Sequence, residues 1–119
     1  MSTMSRRRRK TGHENLANAA VNAKASRGQL FSVHVVNNDA AAAHVQVFDA
    51  LAADVTLGTT APAYELRVAA GAEATLTPGG ADGVHMENGI SLAATIGSRG
   101  SDDPGGGGDS NIDAYVTFG

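Results

Sequence analysis

The stretch QLFSVHVVNNDAAAAHVQVFDA, residues 29–50, holds the densest β-branched and aromatic residues of the chain and its clearest period of two. The side chains predicted to share the inner face are Phe31, Val33, Val35, Val45 and Val47. Those predicted to point outward are Ser32, His34, His44, Gln46 and Phe48. Between the two halves lies Asn37–Asp39, whose side chains bond to nearby backbone and tolerate left-handed geometry. The stretch therefore predicts a β-hairpin with one buried face.

The same alternation returns further along the chain. Residues 63–68 (AYELRV) and 72–77 (AEATLT) predict a second hairpin around a turn at 69–71. The later inward positions are predicted to be Ile90, Leu92, Ala94, Ile96, Ile112, Ala114, Val116 and Phe118. A strand is also expected from about Ala19 to Ala25. Six to eight short strands without a convincing amphipathic helix predict an all-β, antiparallel β-sandwich of the jelly-roll or immunoglobulin-like kind.

Charge divides the chain into two parts. Five of its nine basic residues are consecutive, which leaves four bases against all twelve acids in the remainder. The predicted organisation is a basic N-terminal arm at residues 1–18 and a β-sandwich domain at residues 19–119. Because the body is acidic, any contact with an anionic partner is expected through the arm. The predicted partner-binding residues are Arg6, Arg7, Arg8, Arg9 and Lys10, since adjacent guanidiniums bind carboxylate or phosphate in bidentate fashion.

Signatures of catalysis and of cofactor binding are missing from the sequence. The chain has no Cys and no Trp, no G-x-S-x-G elbow and no HExxH pair, and its glycine tract lacks the Lys-Ser/Thr of a P-loop. We therefore expect no enzyme activity, catalytic residue, cofactor, metal or small-molecule substrate. Two weaker ideas concern metals: His34 and His44 as cross-strand neighbours, and calcium near the glycine tract, where Asp102, Asp103, Asp109 and Asp113 lie without EF-hand spacing. No stretch approaches the length of a membrane span, so no membrane partner is expected.

The run GQLFSVHVVNNDAAAAHVQVFDA (residues 28–50), together with AYELRVAAGAEATLT (63–77) and NGISLAATIG (88–97), resembles a group of small β-sandwich virion structural proteins of tailed bacteriophages. The resemblance covers residues 19–118 and consists of strands and turns, with no catalytic signature. It implies a virion component, a head decoration or cement protein on the major capsid protein. The arginine run and the GGGG tract are not part of the resembling pattern.

These observations favour a non-enzymatic capsid decoration protein, found in the virion and assembled in the host cytoplasm. Many of the predicted inward positions are alanines, which bury little apolar area, so an oligomer or lattice is expected to add stability. The alternatives are a ligand- or receptor-binding module of the virion neck, tail or head fibre, and contact with DNA through the arm, which is less favoured.

Overall fold

The computed structural model describes residues 8–97 and 111–119. Arg6, Arg7, three of the four candidate calcium ligands and the GGGG tract lie outside the described residues. The described strands are β1 (Arg9–His13), β2 (Val21–Lys24), β3 (Gly28–Asn37), β4 (Ala43–Phe48), β5 (Tyr64–Val68), β6 (Glu73–Leu76), β7 (Val84–Met86), β8 (Ile90–Thr95) and β9 (Ile112–Phe118). Short 3-10 helices occur at Ala52–Asp54 and Gly80–Asp82.

The strands form two antiparallel sheets that pack face to face, as the all-β sandwich prediction requires. The first sheet has the order β1-β9-β3-β6, with β7 beside β6 on the same edge of β3, and the second has the order β2-β8-β4-β5. Apart from β7, early strands pair with late ones, β1 with β9, β2 with β8, β3 with β6 and β4 with β5. This nested pairing is that of a jelly roll, which decides between the two sandwich types expected from the sequence.

Both predicted hairpins are wrong. β3 belongs to the first sheet and β4 to the second, and β5 and β6 are divided in the same way. Each connection therefore crosses from one sheet to the other, and the valine faces of β3 and β4 meet across the core instead of side by side. Asn37 stabilises the first crossing: its buried Nδ2 donates to the carbonyl oxygens of Ala41 and Val68, both at 3.0 Å, and its Oδ1 accepts from Asp39 N at 2.9 Å.

The core lies between the sheets and contains most of the residues predicted to face inward. Val33, Val35, Val45 and Val47 are buried there, as are Ile90, Leu92, Ala94, Ile112, Ala114, Val116 and Phe118. Two residues depart from the prediction. A bulge between Leu30 and Ser32 puts Leu30 into the core and leaves Phe31 buried outside the core cluster. β8 ends at Thr95, so Ile96 is exposed.

The outer face of the second sheet is also covered, which the sequence pattern does not predict. Its buried side chains are Gln46, Phe48, Ser91, Ala93 and Thr95. The connection between β4 and β5 lies along this face: Ser91 Oγ donates to Ala50 O at 2.8 Å, and Ala52–Asp54 contacts β8. Gln46 Nε2 donates to Thr95 Oγ1 at 2.8 Å, so the prediction that Gln46 is solvent-exposed is wrong.

The predicted arm boundary at residue 18 also needs correction. Arg9–His13 forms β1 and pairs with β9 over five registered positions, so it is an edge strand of the first sheet. Leu16 is buried in the core cluster. Alternation of apolar residues is the usual sign of a strand, and RKTGH has none, which is why the sequence pattern did not reveal this one.

A pair of valine substitutions tests the assignment of the core. Val47→Asp should lower the free energy of unfolding by at least about 3 kcal/mol, because it places a charge without a partner in the apolar core. Val21→Asp is the matched control, because Val21 lies on edge strand β2 with 36% of its surface exposed; it should change the free energy by less than about 1 kcal/mol. Denaturant unfolding measures both, and similar losses would contradict the assignment.

Candidate functional site

Basic side chains concentrate at one end of the sandwich, where β1 and β3 begin and β2 and β9 end. The basic end comprises Arg8, Arg9, Lys10, Lys24 and Arg27, five of the six Lys and Arg residues in the described part of the chain. The strand register explains the clustering, because Arg9 and Leu30 both lie opposite Phe118. The sequence pointed to the first three of these cations but gave no sign that Lys24 and Arg27 would join them, since that depends on sheet order.

Arg8 is fixed on the body of the protein although it is exposed. Its guanidinium carbon lies 4.2 Å from the centre of the Phe31 ring, and its Nη2 donates to Ala81 O at 2.8 Å. A cation over an aromatic ring is attracted by the negative charge of the ring face. The planar group is thereby oriented, and its other N–H groups form no hydrogen bond with the rest of the described residues, which leaves them able to contact a partner.

Lys24 occupies the same end from the other sheet. Its Nζ donates to Gly119 O at 3.1 Å and lies 6.0 Å from the centre of the Phe118 ring. The backbone of Gly119 also exchanges hydrogen bonds with Gln29, at 2.8 and 2.9 Å. The ends of β2, β3 and β9 are therefore tied together at the basic end.

None of the five cations of the basic end forms an ion pair with a side-chain carboxylate among the described residues. The contacts between a basic side chain and a carboxylate in residues 8–97 and 111–119 are instead those of the His34 imidazole with Glu73 and of the His85 imidazole with Glu87. Acidic side chains at the opposite end include Glu14, Asp39, Glu73 and Asp113, at or beside the ends of β1, β3, β6 and β9. Three carboxylates also lie near the basic end: Asp82 follows Ala81, to which Arg8 donates, Glu87 follows the β7 residue opposite Gly28, and Asp49 accepts from Glu87 N. None of them forms an ion pair with the five cations among the described residues, so the cations are available to an acidic partner.

The outer face of the first sheet, called the open face below, presents a second candidate surface. One cross-strand row on it consists of Gly12, Tyr115, His34 and Thr75, on β1, β9, β3 and β6. His34 Nδ1 lies 2.6 Å from Thr75 Oγ1, and Nε2 lies 3.2 Å from Glu73 Oε1. A Cβ on Gly12 would lie 3.3 Å from the Tyr115 ring, so glycine leaves room for that ring to lie against β1.

Of the predicted site residues, Arg8 precedes β1, Arg9 and Lys10 begin it, and Arg6 and Arg7 lie outside the described residues. The suggested pair of His34 and His44 is wrong, because the two residues belong to different sheets. His44 Nδ1 instead contacts Ile96 O at 2.9 Å.

Metal ligands do not converge in the part of the chain that the structure describes: no group of three or more His, Cys, Asp or Glu side chains could hold an ion there. Asp113, the one candidate calcium ligand among these residues, accepts a hydrogen bond from Asn15 N at 3.1 Å through Oδ1. Among the same residues, no helix has the length and apolar character needed to cross a membrane.

Comparisons with protein-family models, with curated protein sequences and with solved structures gave no match.

His13 makes β1 sensitive to pH. It faces inward opposite Ala114, its Nε2 is buried without a hydrogen-bond partner among the described residues, and burial lowers its pKa below the ordinary value of 6.5. The unfolded chain therefore binds a proton more readily than the folded one as the pH falls through and below 6.5. Acidification should destabilise the protein by up to about 1.4 kcal/mol per pH unit through this residue.

The measurement compares the wild type with His13→Gln in denaturant unfolding between pH 7.5 and pH 5. The substitution should make stability fall less steeply on acidification, because Gln cannot take up the proton. All other ionisable groups are the same in the two proteins, so their contributions cancel in the difference between them. Parallel pH curves for the two proteins would refute the assignment.

Proposed function

We propose that this chain is a non-enzymatic virion structural protein, a capsid decoration or cement subunit whose basic end docks on an acidic surface of the major capsid protein lattice. The observation that carries the proposal is the set of five cations at one end of a jelly roll, none of which forms an ion pair with a side-chain carboxylate among the described residues. Jelly rolls are common in viral capsid proteins, and the likeness to small phage β-sandwich proteins supports the same role.

Fixed cations suit attachment to a protein lattice. The side chains of Arg9, Lys10 and Arg27 are exposed and form no hydrogen bond with other described residues, while those of Arg8 and Lys24 are held in place by aromatic rings and carbonyl oxygens. Pre-ordered charges lose less side-chain freedom on binding than free ones. Single exposed ion pairs contribute about 0.2 to 1 kcal/mol each, so binding depends on several acting together, and many copies on one lattice multiply the effect.

DNA is the competing target for the same cations. The described part of the body carries nine carboxylates against six Lys and Arg residues. An acidic body repels the phosphate backbone except at the basic end. A lattice surface that offers carboxylates only where the basic end docks avoids that repulsion, which favours the protein partner.

Neutralising part of the basic end tests the proposal. The triple variant Arg9→Gln, Lys10→Gln, Arg27→Gln should weaken co-sedimentation with DNA-free shells of the major capsid protein of the same virus by roughly 3- to 150-fold, from the sum of three exposed pairs. Wild-type binding should also fall as salt is added, because exposed charges are screened over about 10 Å at 0.1 M.

The control is Arg67→Gln. Arg67 lies on β5 opposite His44, at the end of the sandwich away from the basic end, so its loss should leave shell binding unchanged. Unfolding curves of all variants show whether the sandwich is intact. Unaltered shell occupancy of the folded triple variant at limiting concentration would contradict docking through the basic end. If the wild type binds duplex DNA and does not bind shells, the same cations bind nucleic acid instead of a capsid lattice.

A specific observation also supports the alternative of a ligand-binding module. The open face presents the Tyr115 ring, 36% exposed, with the His34 ring 6.5 Å away at an angle of 30° and with the Glu73 carboxylate beside His34. An exposed ring can stack on the apolar face of a sugar, and a carboxylate and an imidazole can bond to its hydroxyls. The second candidate function is therefore recognition of a neutral saccharide.

Tyr115→Ala should reduce saccharide binding on a glycan array by about tenfold, the loss expected for one aromatic stacking contact. Val21→Ala is the matched control, because Val21 is equally exposed but lies on the edge of the second sheet. A wild-type protein that binds no glycan on the array would remove this candidate and leave the capsid proposal standing.

A further inference from the structure

β1 differs from every other described strand in what it contributes to the core. None of its residues belongs to the core cluster or to the side chains packed against it, whereas each of the other eight described strands supplies at least one. Its inward positions, set by register with Phe118, Val116 and Ala114, are Arg9, Thr11 and His13. β1 is therefore held without the apolar burial that fixes the other strands.

A strained connection joins β1 to the rest of the sandwich. Asn15 has a φ of 54°, the only positive φ of a non-glycine residue in the described part of the chain. The next residue, Leu16, is firmly anchored: its side chain is 3% exposed, and its N–H donates to Ile112 O at 2.7 Å. Glu14 and Asn15 are exposed. The chain thus has an anchor at Leu16, a hinge at residues 14–15 that is held by one hydrogen bond from Asn15 N to Asp113 Oδ1 at 3.1 Å, and a weakly packed strand before it.

The contacts that hold β1 can be made equally well by another copy of the protein. They are the backbone ladder to residues 114–118, the fit of Gly12 against Tyr115, and the contact of Arg8 with Phe31 and Ala81. Every partner lies on the body after Leu16. The same segment from a second copy would meet identical partners, so the closed and exchanged forms differ only in the hinge and in the entropy of association.

From these observations we infer that β1 is an exchangeable strand: Arg9–His13 of one copy pairs with β9 of a second copy, and the edge of β9 is an interface between copies. The inference does not rest on capsid binding. Exchange is favoured wherever copies are held close together, because the effective concentration of the second β1 then rises. The buried Nε2 of His13, which has no hydrogen-bond partner among the described residues, agrees with a strand that is not optimised for permanent burial.

Disulfide trapping distinguishes the two forms, and the chain has no cysteine to interfere. Gly12 and Tyr115 are Cα partners on the open face, within the range that a disulfide spans in an antiparallel pair. Full-length Gly12→Cys protein is mixed with full-length Tyr115→Cys protein and oxidised gently. Exchange predicts a heterodimer whose linked peptide joins positions 12 and 115, in a yield that rises with protein concentration.

The matched control uses His34→Cys mixed with Thr75→Cys. These positions are also Cα partners on the open face, but β6 is anchored by Ala74 and Leu76, which pack against the core. No 34–75 heterodimer should form. The double variant Gly12→Cys, Tyr115→Cys in one chain should close within the chain when dilute, which shows that the geometry allows the bond.

A substitution in β1 tests the cause of the exchange. Thr11 lies opposite Val116 on the inner face, so Thr11→Val adds an apolar anchor without altering the hinge. It should slow formation of the 12–115 heterodimer by a factor of up to about five, the range of one cross-strand pair. Equal rates with and without the anchor would show that weak packing of β1 does not govern the process.

Mass spectrometry under native conditions repeats the test without cysteines. Isotope-labelled and unlabelled wild-type chains are mixed at high concentration, and exchange predicts dimers of intermediate mass that become fewer in Thr11→Val. Monomers alone at every soluble concentration, or 12–115 linkage found only within single chains, would overturn the inference.

Discussion

β3 is the strand on which the rest of the structure depends. It pairs with β9 along one side and with β6 and β7 along the other, so it joins every other strand of the first sheet except β1, which follows through β9. Its Leu30, Val33 and Val35 are fully buried. Because the strand ends in the buried Asn37, whose amide bonds to Val68 O in the second sheet, β3 also fixes the distance between the sheets. Loss of its register would displace both candidate surfaces together.

Periodicity in the sequence revealed the strands but not how they pair. Alternation identifies which side chains face the core, and it did so for the valines of β3 and β4 and for most of β8 and β9. It carries no information about the partner of each strand, so a sharp turn between two alternating runs was interpreted as a hairpin. In a thin sandwich with small side chains, the same two runs can face each other across the core. The side-chain amide of Asn37 stabilises the crossing between the sheets, but the sequence alone does not show that this side chain is buried.

The candidate surfaces illustrate the same limit. Arg8, Arg9 and Lys10 are conspicuous because they are consecutive, whereas Lys24 and Arg27 join them only because β2 ends and β3 begins at the same end as β1. The open-face row of Gly12, Tyr115, His34 and Thr75 comes from four strands that are far apart in the sequence. These four residues share a face only because the registers of the paired strands align them. Burial of Gln46 and Phe48 was missed for a related reason, since the β4–β5 connection folds back over the outer face of the second sheet.

The composition of β1 brings the two proposals together. A strand chosen only for stability would place apolar residues at the positions of Arg9, Thr11 and His13, because burial of each such side chain contributes roughly 1.5 to 3 kcal/mol. In this protein the segment is basic and polar, and it lies at the edge of the sheet. Charge at an edge discourages indiscriminate pairing with other sheets, and low apolar content lets the strand leave. The residues that weaken β1 as part of the core are therefore the ones that suit it to contact a neighbour, either an acidic lattice or a second copy.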